Sequence, residues 1–212
     1  MEHILDLYAQ PYDGKRPLWC FAGALWARPC QLLGDKLVPI PMQPGKQWRY
    51  DHHYERHGVC NLLVAFQPHT GQRVVQVRQQ RTARDYADFM IALKTLHNPG
   101  ADALQIVQDN LNTHSPSSFY TVLPPAQALA MANQFEMHYT PKNASWLNMV
   151  EIELSVIARQ CLDRRIDSMQ RLEQEVLTFV AERNRHACTI HWQFTPELAR
   201  IKFDRFYPKL QH

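Results

Sequence analysis

Two carboxylates stand where a folded chain could use them for chemistry. Asp109 follows the apolar run 104–107, at the point where a strand pattern gives way to the polar stretch 110–116. Ligands and catalytic groups collect at the carboxyl ends of strands in α/β sheets, so an acid there is well placed. The alternative is an aspartate that closes a turn, with its side chain on a backbone N–H.

Glu151 is the second candidate, in a helix that the periodicity predicts over residues 147–162. At about 100° per residue, Glu151 falls within an apolar stripe, whereas Glu153 points away from it into solvent. The stripe consists of Leu147, Val150, Leu154, Ala158 and Cys161. A carboxylate on a buried face is costly unless it is paired or binds a metal. The alternative is a glutamate that only stabilises the helix N-terminus.

Histidines and arginines offer weaker signals. Five histidines have spacings that match no common zinc pattern, which favours hydrogen-bonded side chains in a polar loop: His52, His53, His57, His69 and His114. Four arginines could line a phosphate track, although solvated positions explain them equally well: Arg73, Arg78, Arg81 and Arg84. Arg164 and Arg165 fit the compensation of a helix C-terminal dipole.

Composition excludes several classes of protein. The 212 residues, 45% of them hydrophobic and 20% charged, indicate one large globular domain. The seven glycines are scattered, which excludes P-loops and dinucleotide fingerprints. A net charge of +3 means that any nucleic acid must be held at a local site. The five cysteines form no C-x-x-C pair, which argues against a disulfide framework or structural zinc and favours a reduced, intracellular setting.

The elements that must position these residues follow from periodicity and turn signals. Strands are expected at 17–21, 32–40, 59–66, 72–77, 104–107 and 135–139, with Pro39 and Pro41 restricting the second to an edge. The polar stretch 41–58 is expected to be a loop. Helices are expected after the N-cap Thr82, after Ser115 and over 124–133, 147–162 and 168–183, with a last one after Thr195. This order predicts a mixed α/β sheet with helices packed on it.

Two long motifs carry a resemblance to a known family. They are VQDNLNTH at 107–114 and HYTPKNASWLNMVEIEL at 138–154, accompanied by RYD at 49–51 and YER at 54–56. Together they resemble the catalytic domain of bacterial insertion-sequence transposases of the mariner superfamily, the DDE endonucleases, over residues 5–208. The resemblance implies an RNase H-like fold, a mixed five-stranded sheet flanked by helices.

The resemblance also implies roles for the two carboxylates. Asp109 matches the family's second catalytic aspartate and Glu151 its closing glutamate, both as metal ligands. Such carboxylates can hold two Mg²⁺ or Mn²⁺ ions about 3.5–4 Å apart. One ion then activates water or a 3′-hydroxyl and the other stabilises the leaving oxygen. We expect the two carboxylates to converge with Ala22 at one edge of the sheet.

The first strand departs from the family pattern. The family has Asp-Glu directly after Cys-Phe, where this chain has Ala22 and Gly23, and the match resumes only at Gln31. The first metal carboxylate is therefore missing, and Asp13 and Asp35 are the nearest acids. We therefore expect an incompletely formed two-metal site and a copy whose catalytic activity is impaired.

The resemblance completes a picture of the whole chain. Residues 1–212 are expected to form one catalytic-type domain, with the core at about 17–185, a helical extension at 186–212 and no helix-turn-helix domain ahead.

The expected function is metal-dependent DNA cleavage and strand transfer. The alternative is a non-catalytic DNA-associated or oligomerisation module. Transposon-end and target DNA are the expected partners, with a homodimer allowed and neither membrane nor small-molecule substrate. The bacterial cytoplasm, and the nucleoid when DNA is bound, is the expected location.

Overall fold

A computed structural model describes residues 1–23, 30–37, 40, 42–46 and 51–206. The strands in these residues are β1 (Leu18–Ala22), β2 (Cys30–Asp35), β3 (Tyr54–Gln67), β4 (Gln72–Arg78), β5 (Leu104–Gln108) and β6 (Phe135–Tyr139). The α-helices are α1 (Glu2–Ala9), α2 (Ala83–Ala92), α3 (Pro125–Ala132), α4 (Val150–Gln160), α5 (Met169–Arg185) and α6 (Pro196–Lys202). A π-helical segment, Leu93–His97, continues α2, and 3₁₀ turns lie at Pro116–Thr121, Ser145–Leu147 and Asp204–Phe206.

The sheet is mixed, as the sequence predicts. β1 is antiparallel to β3 and parallel to β5, β5 is parallel to β6, and β4 is antiparallel to β3. Because β1 and β4 pair with the same residues of β3, 64–66, they lie on its opposite edges. Five strands therefore run in the order β4-β3-β1-β5-β6. The predicted mixed sheet flanked by helices is confirmed, but the sheet has six strands rather than five in the described residues, because β2 pairs with residues 54–60 of β3.

The start of β3 differs from the prediction. Residues 54–58 were expected in a loop, yet they extend β3 and pair with β2, which ends at Asp35. Their side chains are exposed, so they show no apolar alternation that would mark a strand, and the backbone ladder with β2 holds them instead. Pro39, Pro41 and residues 47–50 lie outside the described residues.

The helices begin close to the predicted signals. Thr82 caps α2 in a capping box with Asp85, each side chain bonding the other's backbone N–H. Helix α4 starts at Val150, later than expected, because residues 145–147 form a separate 3₁₀ turn. Helix α1 has no counterpart in the sequence prediction, although its Ile4 and Leu7 are buried in the core.

Each face of the sheet carries its own core. Alternation along β1 sends Trp19 and Phe21 to the face covered by α2, and Cys20 and Ala22 to the face covered by α4. Ala22 therefore points toward the layer that contains Glu151. None of the helices in the described ranges combines the length and the apolar character needed to span a bilayer.

Candidate active site

Asp109 lies where the sequence predicts, directly after the last residue of β5. Parallel pairing sets Cys20 of β1 opposite Val107 of β5. Continuing this register two residues along each strand brings Ala22 level with Asp109. The ends of two adjacent parallel strands therefore meet at this point, at the carboxyl edge of the sheet.

A buried histidine holds the Asp109 carboxylate. His114 Nδ1 lies 2.9 Å from Asp109 Oδ1, and the His114 side chain is 2% exposed while that of Asp109 is 41% exposed. The imidazole stacks on Tyr86, with ring centroids 5.1 Å apart, and meets Phe21 edge-on. This packing fixes the ring, so that it orients a carboxylate that solvent and ligands can still reach.

The loop between Asp109 and His114 is tied to the sheet. The buried amide of Gln108 donates from Nε2 to the His114 carbonyl at 2.8 Å, and its Oε1 accepts from the Tyr86 hydroxyl at 3.0 Å. Burial raises the pKa of Tyr86, which keeps the hydroxyl protonated as a donor. The loop conformation therefore depends on side chains that point into the core.

Asn148 connects the end of β1 to the start of α4. Its side chain is 2% exposed and donates from Nδ2 to the Phe21 carbonyl at 2.8 Å. The backbone carbonyl of Asn148 accepts from the Glu151 N–H at 3.0 Å, in the turn that begins α4. One buried amide thus fixes the helix that carries Glu151 beside the strand that carries Ala22.

The pKa of Glu151 responds to its own burial and to the charge of Asp109. Burial raises the pKa of Glu151, and the negative charge of Asp109 raises it further. The positive end of a helix dipole alone would lower a glutamate pKa, which disfavours a purely dipolar role. Two carboxylates that repel each other at a strand end suit a divalent cation, which would neutralise both.

Glu153 corrects the predicted helical phase. It is 1% exposed rather than solvated, and Arg73 binds it through two bonds of 2.7 Å. Arg183 of α5 is a second partner, at 3.0 Å. The buried stripe of α4 runs through Val150, Leu154 and Ile157, which leaves Glu151 half-buried at its flank. The prediction failed because the two arginines neutralise a carboxylate on the core side.

The remaining arginines have mixed outcomes. Arg73 is neither solvated nor available to a phosphate, since it is buried against Glu153. Arg81 and Arg84 are exposed, as the solvated interpretation expects. Arg164 donates to the Cys161 carbonyl at the end of α4, whereas Arg165 instead binds Asp35 at 2.6 Å.

The histidines have ordinary partners, apart from His114. His57 bonds the Asp167 carbonyl, His69 the Gln10 carbonyl and His53 the Asp51 carboxylate. The spacing of the histidines predicts an ordinary polar-loop role for His114 as well, but the structure places it against the Asp109 carboxylate. The signal that could have found it is its position within the motif of Asp109, at the end of the strand.

Neither of the nearest acids supplies the missing carboxylate. Asp35 is paired with Arg165, and Asp13 bonds the Lys15 N–H at the amino end of β1, away from Ala22. Among the residues that the structure describes, no three side chains of His, Cys, Asp or Glu are grouped to enclose a metal ion. Mg²⁺ commonly uses only one or two carboxylates, completed by water and substrate phosphates. Asp109 and Glu151 therefore fit one hydrated ion but not a pair.

A sequence comparison with known families gives a match over most of the chain. The sequence model described as DDE superfamily endonuclease matches residues 32–173, well over half of the chain. Curated proteins give no match. One similar solved structure is a cryo-EM structure of the simian T-cell lymphotropic virus intasome in complex with PP2A regulatory subunit B56 gamma. The identity is 14% and the TM-score 0.45, covering 96% of this chain and 61% of that chain, so this chain spans less than two thirds of its length. On the extent of the sequence match, the chain belongs to the DDE superfamily endonucleases.

Proposed function

We propose that this chain is a transposase catalytic-type domain, of the kind found in mariner-superfamily insertion sequences, in which Asp109 and Glu151 bind a divalent cation. The observation that supports this most is the shared site at the ends of β1 and β5. Register sets Ala22 level with Asp109, and Asn148 holds the start of α4 on the Phe21 carbonyl. Burial raises the pKa of Glu151, and the charge of Asp109 adds to the rise. The substrates are transposon-end and target DNA, on the nucleoid in the bacterial cytoplasm, and a homodimer would bring two sites together.

Each side chain of the site has a distinct task in this proposal. Asp109 and Glu151 hold Mg²⁺ or Mn²⁺. A cation held in this way supplies an activated water or 3′-hydroxyl and charge neutralisation at the phosphate. His114 fixes the orientation of the Asp109 carboxylate through a 2.9 Å bond. Asn148 holds the start of α4 on the Phe21 carbonyl, which sets the position of Glu151.

Ala22 makes this copy impaired. The methyl group is level with Asp109 but offers no ligand, so a second ion lacks a protein carboxylate. We expect activity lowered by on the order of 10³-fold or more, which corresponds to about 4 kcal/mol of transition-state stabilisation.

The chain acts as one domain in this proposal. Beyond α5, the segment that leads to α6 returns to the core, because Ala199 packs with Leu5 and Leu147. Arg200 also pairs with Glu2 at 2.6 Å. These contacts support a single unit over 1–212, with a core at about 17–185 and a helical extension from residue 186.

A second candidate function is a non-catalytic DNA-associated or oligomerisation module derived from a transposase. The observation that favours it is Ala22, because losing one metal carboxylate removes chemistry while leaving the folded surface intact. The enzyme and a DNA-associated module both predict DNA binding, so binding alone does not separate these two.

Nicking of supercoiled plasmid with Mn²⁺ separates the two functions. The enzyme predicts slow, metal-dependent nicking that Asp109→Ala abolishes. Asp102→Ala is the matched control, since the Asp102 side chain is 75% exposed and its ion pair with Lys15 is 3.8 Å long. Nicking that persists in Asp109→Ala would remove the assigned site, and no metal-dependent nicking by the unmodified chain would favour the binding module.

A further inference from the structure

Two cysteines lie side by side on the added strand pair, away from the carboxylate site. Cys30 begins β2, and antiparallel register sets it directly opposite Cys60 of β3. Directly opposed residues have Cα atoms about 4.5–5.5 Å apart, within the range of about 4.4–6.8 Å that disulfides span. Both thiols are free, and Cys60 Sγ lies 3.8 Å from the Cys30 carbonyl oxygen.

The two thiols differ in access and in reactivity. Cys30 is partly exposed, whereas Cys60 is fully buried. The neighbouring Cys60 thiol lowers the pKa of Cys30, and its interaction with Cys30 together with burial raises the pKa of Cys60. Cys30 is therefore the thiol that reaches an oxidant and reacts as a thiolate, with Cys60 behind it as the resolving partner.

The other cysteines are less suited to this reaction. Cys20 is buried, and burial raises its pKa to about 12. Cys161 is buried at the end of α4, where burial raises its pKa and the charge of Cys30 adds to the rise. Cys161 is thus the competing partner that a test must distinguish from Cys60. Cys188 lies beyond α5 and is partly exposed.

We propose that Cys30 and Cys60 are a redox modification site, which low-molecular-weight disulfides such as oxidised glutathione convert into an intramolecular disulfide. The Cys30 thiolate attacks one sulfur of the small disulfide, forming a mixed disulfide and releasing one thiolate. Cys60 then loses its proton and attacks the Cys30 sulfur, releasing the second thiolate. Two protein thiols are oxidised by two electrons, and one small disulfide is reduced to two thiols.

The bond would fasten the first residue of β2 to the middle of β3. It closes the chain between Cys30 and Cys60 and removes conformations from the unfolded state, so the oxidised protein should melt at a higher temperature. Because β3 continues to Val64, the partner of Ala22 in β1, the clamped strand also supports the end of β1.

The test oxidises the full chain with glutathione disulfide, quenches with acid, alkylates the remaining thiols after denaturation and maps the peptides. Alkylated cysteines should fall by two from the five in the sequence, with a Cys30–Cys60 linked peptide and a melting temperature that dithiothreitol returns to its starting value. Cys30→Ser should lose the effect, while the matched control Cys188→Ser should keep it.

Several results would overturn the pair. They are a linked peptide joining Cys30 to Cys161, a mixed disulfide that persists on Cys30 without resolution, and five unmodified thiols after oxidation. The peptide map of the unmodified chain decides the pairing, so the conclusion does not depend on the folding of either variant. It is also independent of DNA cleavage.

Discussion

At the scale of single residues, the proposed site is a pair of unlike carboxylates. Asp109 is open to solvent and held by a buried imidazole, whereas Glu151 is half-buried and its pKa is raised. Burial disfavours the charged form of a carboxyl group and so lowers the stability of the fold. Natural proteins keep such unfavourable groups mainly at functional sites, where a bound ligand stabilises the charge. Each residue therefore makes a separate prediction about metal affinity or stability.

Replacing His114 should weaken divalent-cation binding. His114→Ala removes the partner that orients Asp109, and loss of such supporting residues costs about 10–100-fold in metal affinity. Titration of Mn²⁺ followed by electron paramagnetic resonance measures this in the folded variant. His114→Asn keeps a short donor and should recover part of the loss, whereas equal affinity in all three proteins would mean that Asp109 needs no orienting partner.

Glu151→Gln should stabilise the metal-free protein at neutral pH. Since the folded pKa of Glu151 lies above its unfolded value, the ionised side chain costs stability above the folded pKa. That cost disappears as pH falls below the unfolded pKa, about 4.3, where both states are protonated. Melting temperatures in EDTA should rise in the variant by on the order of 2 °C at pH 8, with the gain vanishing near pH 4. A gain that does not change with pH would refute this origin.

At the scale of elements, one buried ion cluster sets the position of α4. Glu153 of α4 is held by Arg73 of β4 and Arg183 of α5. The cluster thereby joins α4, which also carries Glu151, to β4 and α5. Replacing a buried ion pair can be neutral, but removing one partner leaves a buried charge.

Glu153→Gln should destabilise the fold without lowering metal affinity in the folded fraction. Breaking a buried pair from one side costs about 3–5 kcal/mol, and each kcal/mol lowers the melting temperature by about 2–4 °C in a chain of this size. Glu173→Gln, an exposed change on α5, is the control and should shift stability by less than about 0.5 kcal/mol. If Glu153→Gln weakened Mn²⁺ binding as much as Glu151→Gln, the phase of α4 in the structure would be contradicted.

The phase of α4 also shows what sequence can and cannot provide. Turn signals predicted β5, β6 and the capped start of α2, because these depend on local residues. The burial of Glu153 depends on Arg73, 80 positions earlier, and no local pattern reports such a partner. The same limit applies to residues 54–58, which are strand only because β2 pairs with them.

At the scale of the whole molecule, the sheet order creates the site. Parallel pairing of β1 with β5 sets Ala22 level with Asp109. Asn148 bonds the Phe21 carbonyl and so holds the start of α4, which carries Glu151, beside β1. The sequence motifs predict that Ala22, Asp109 and Glu151 converge, and the register of β1 and β5 is consistent with this prediction for Ala22 and Asp109. Residues 24–29, where the family pattern is also interrupted, lie outside the described part.

Restoring full activity should require more than one substitution. A Cβ on Gly23 would lie 2.8 Å from His114 Nε2, so the family-like Glu at this position requires the end of β1 to move, which replacing the whole segment allows. Replacing residues 22–29 with a family-like Asp-Glu turn, in a chain fused to a helix-turn-helix module, should raise plasmid nicking by on the order of 10³-fold. Equal rates before and after this repair would mean that the missing carboxylate does not limit activity.

The central claim is that Asp109 and Glu151 form a metal site that lacks the carboxylate of position 22, and Mn²⁺ titration of Ala22→Asp tests it most directly. Ala22 faces the layer covered by α4 and lies level with Asp109, so a carboxylate there should add a ligand. We predict affinity at least about tenfold tighter than in the unmodified chain, equal to about 1.4 kcal/mol, and no such gain in an Asp109→Ala background. Unchanged affinity, or the same gain without Asp109, would contradict the site.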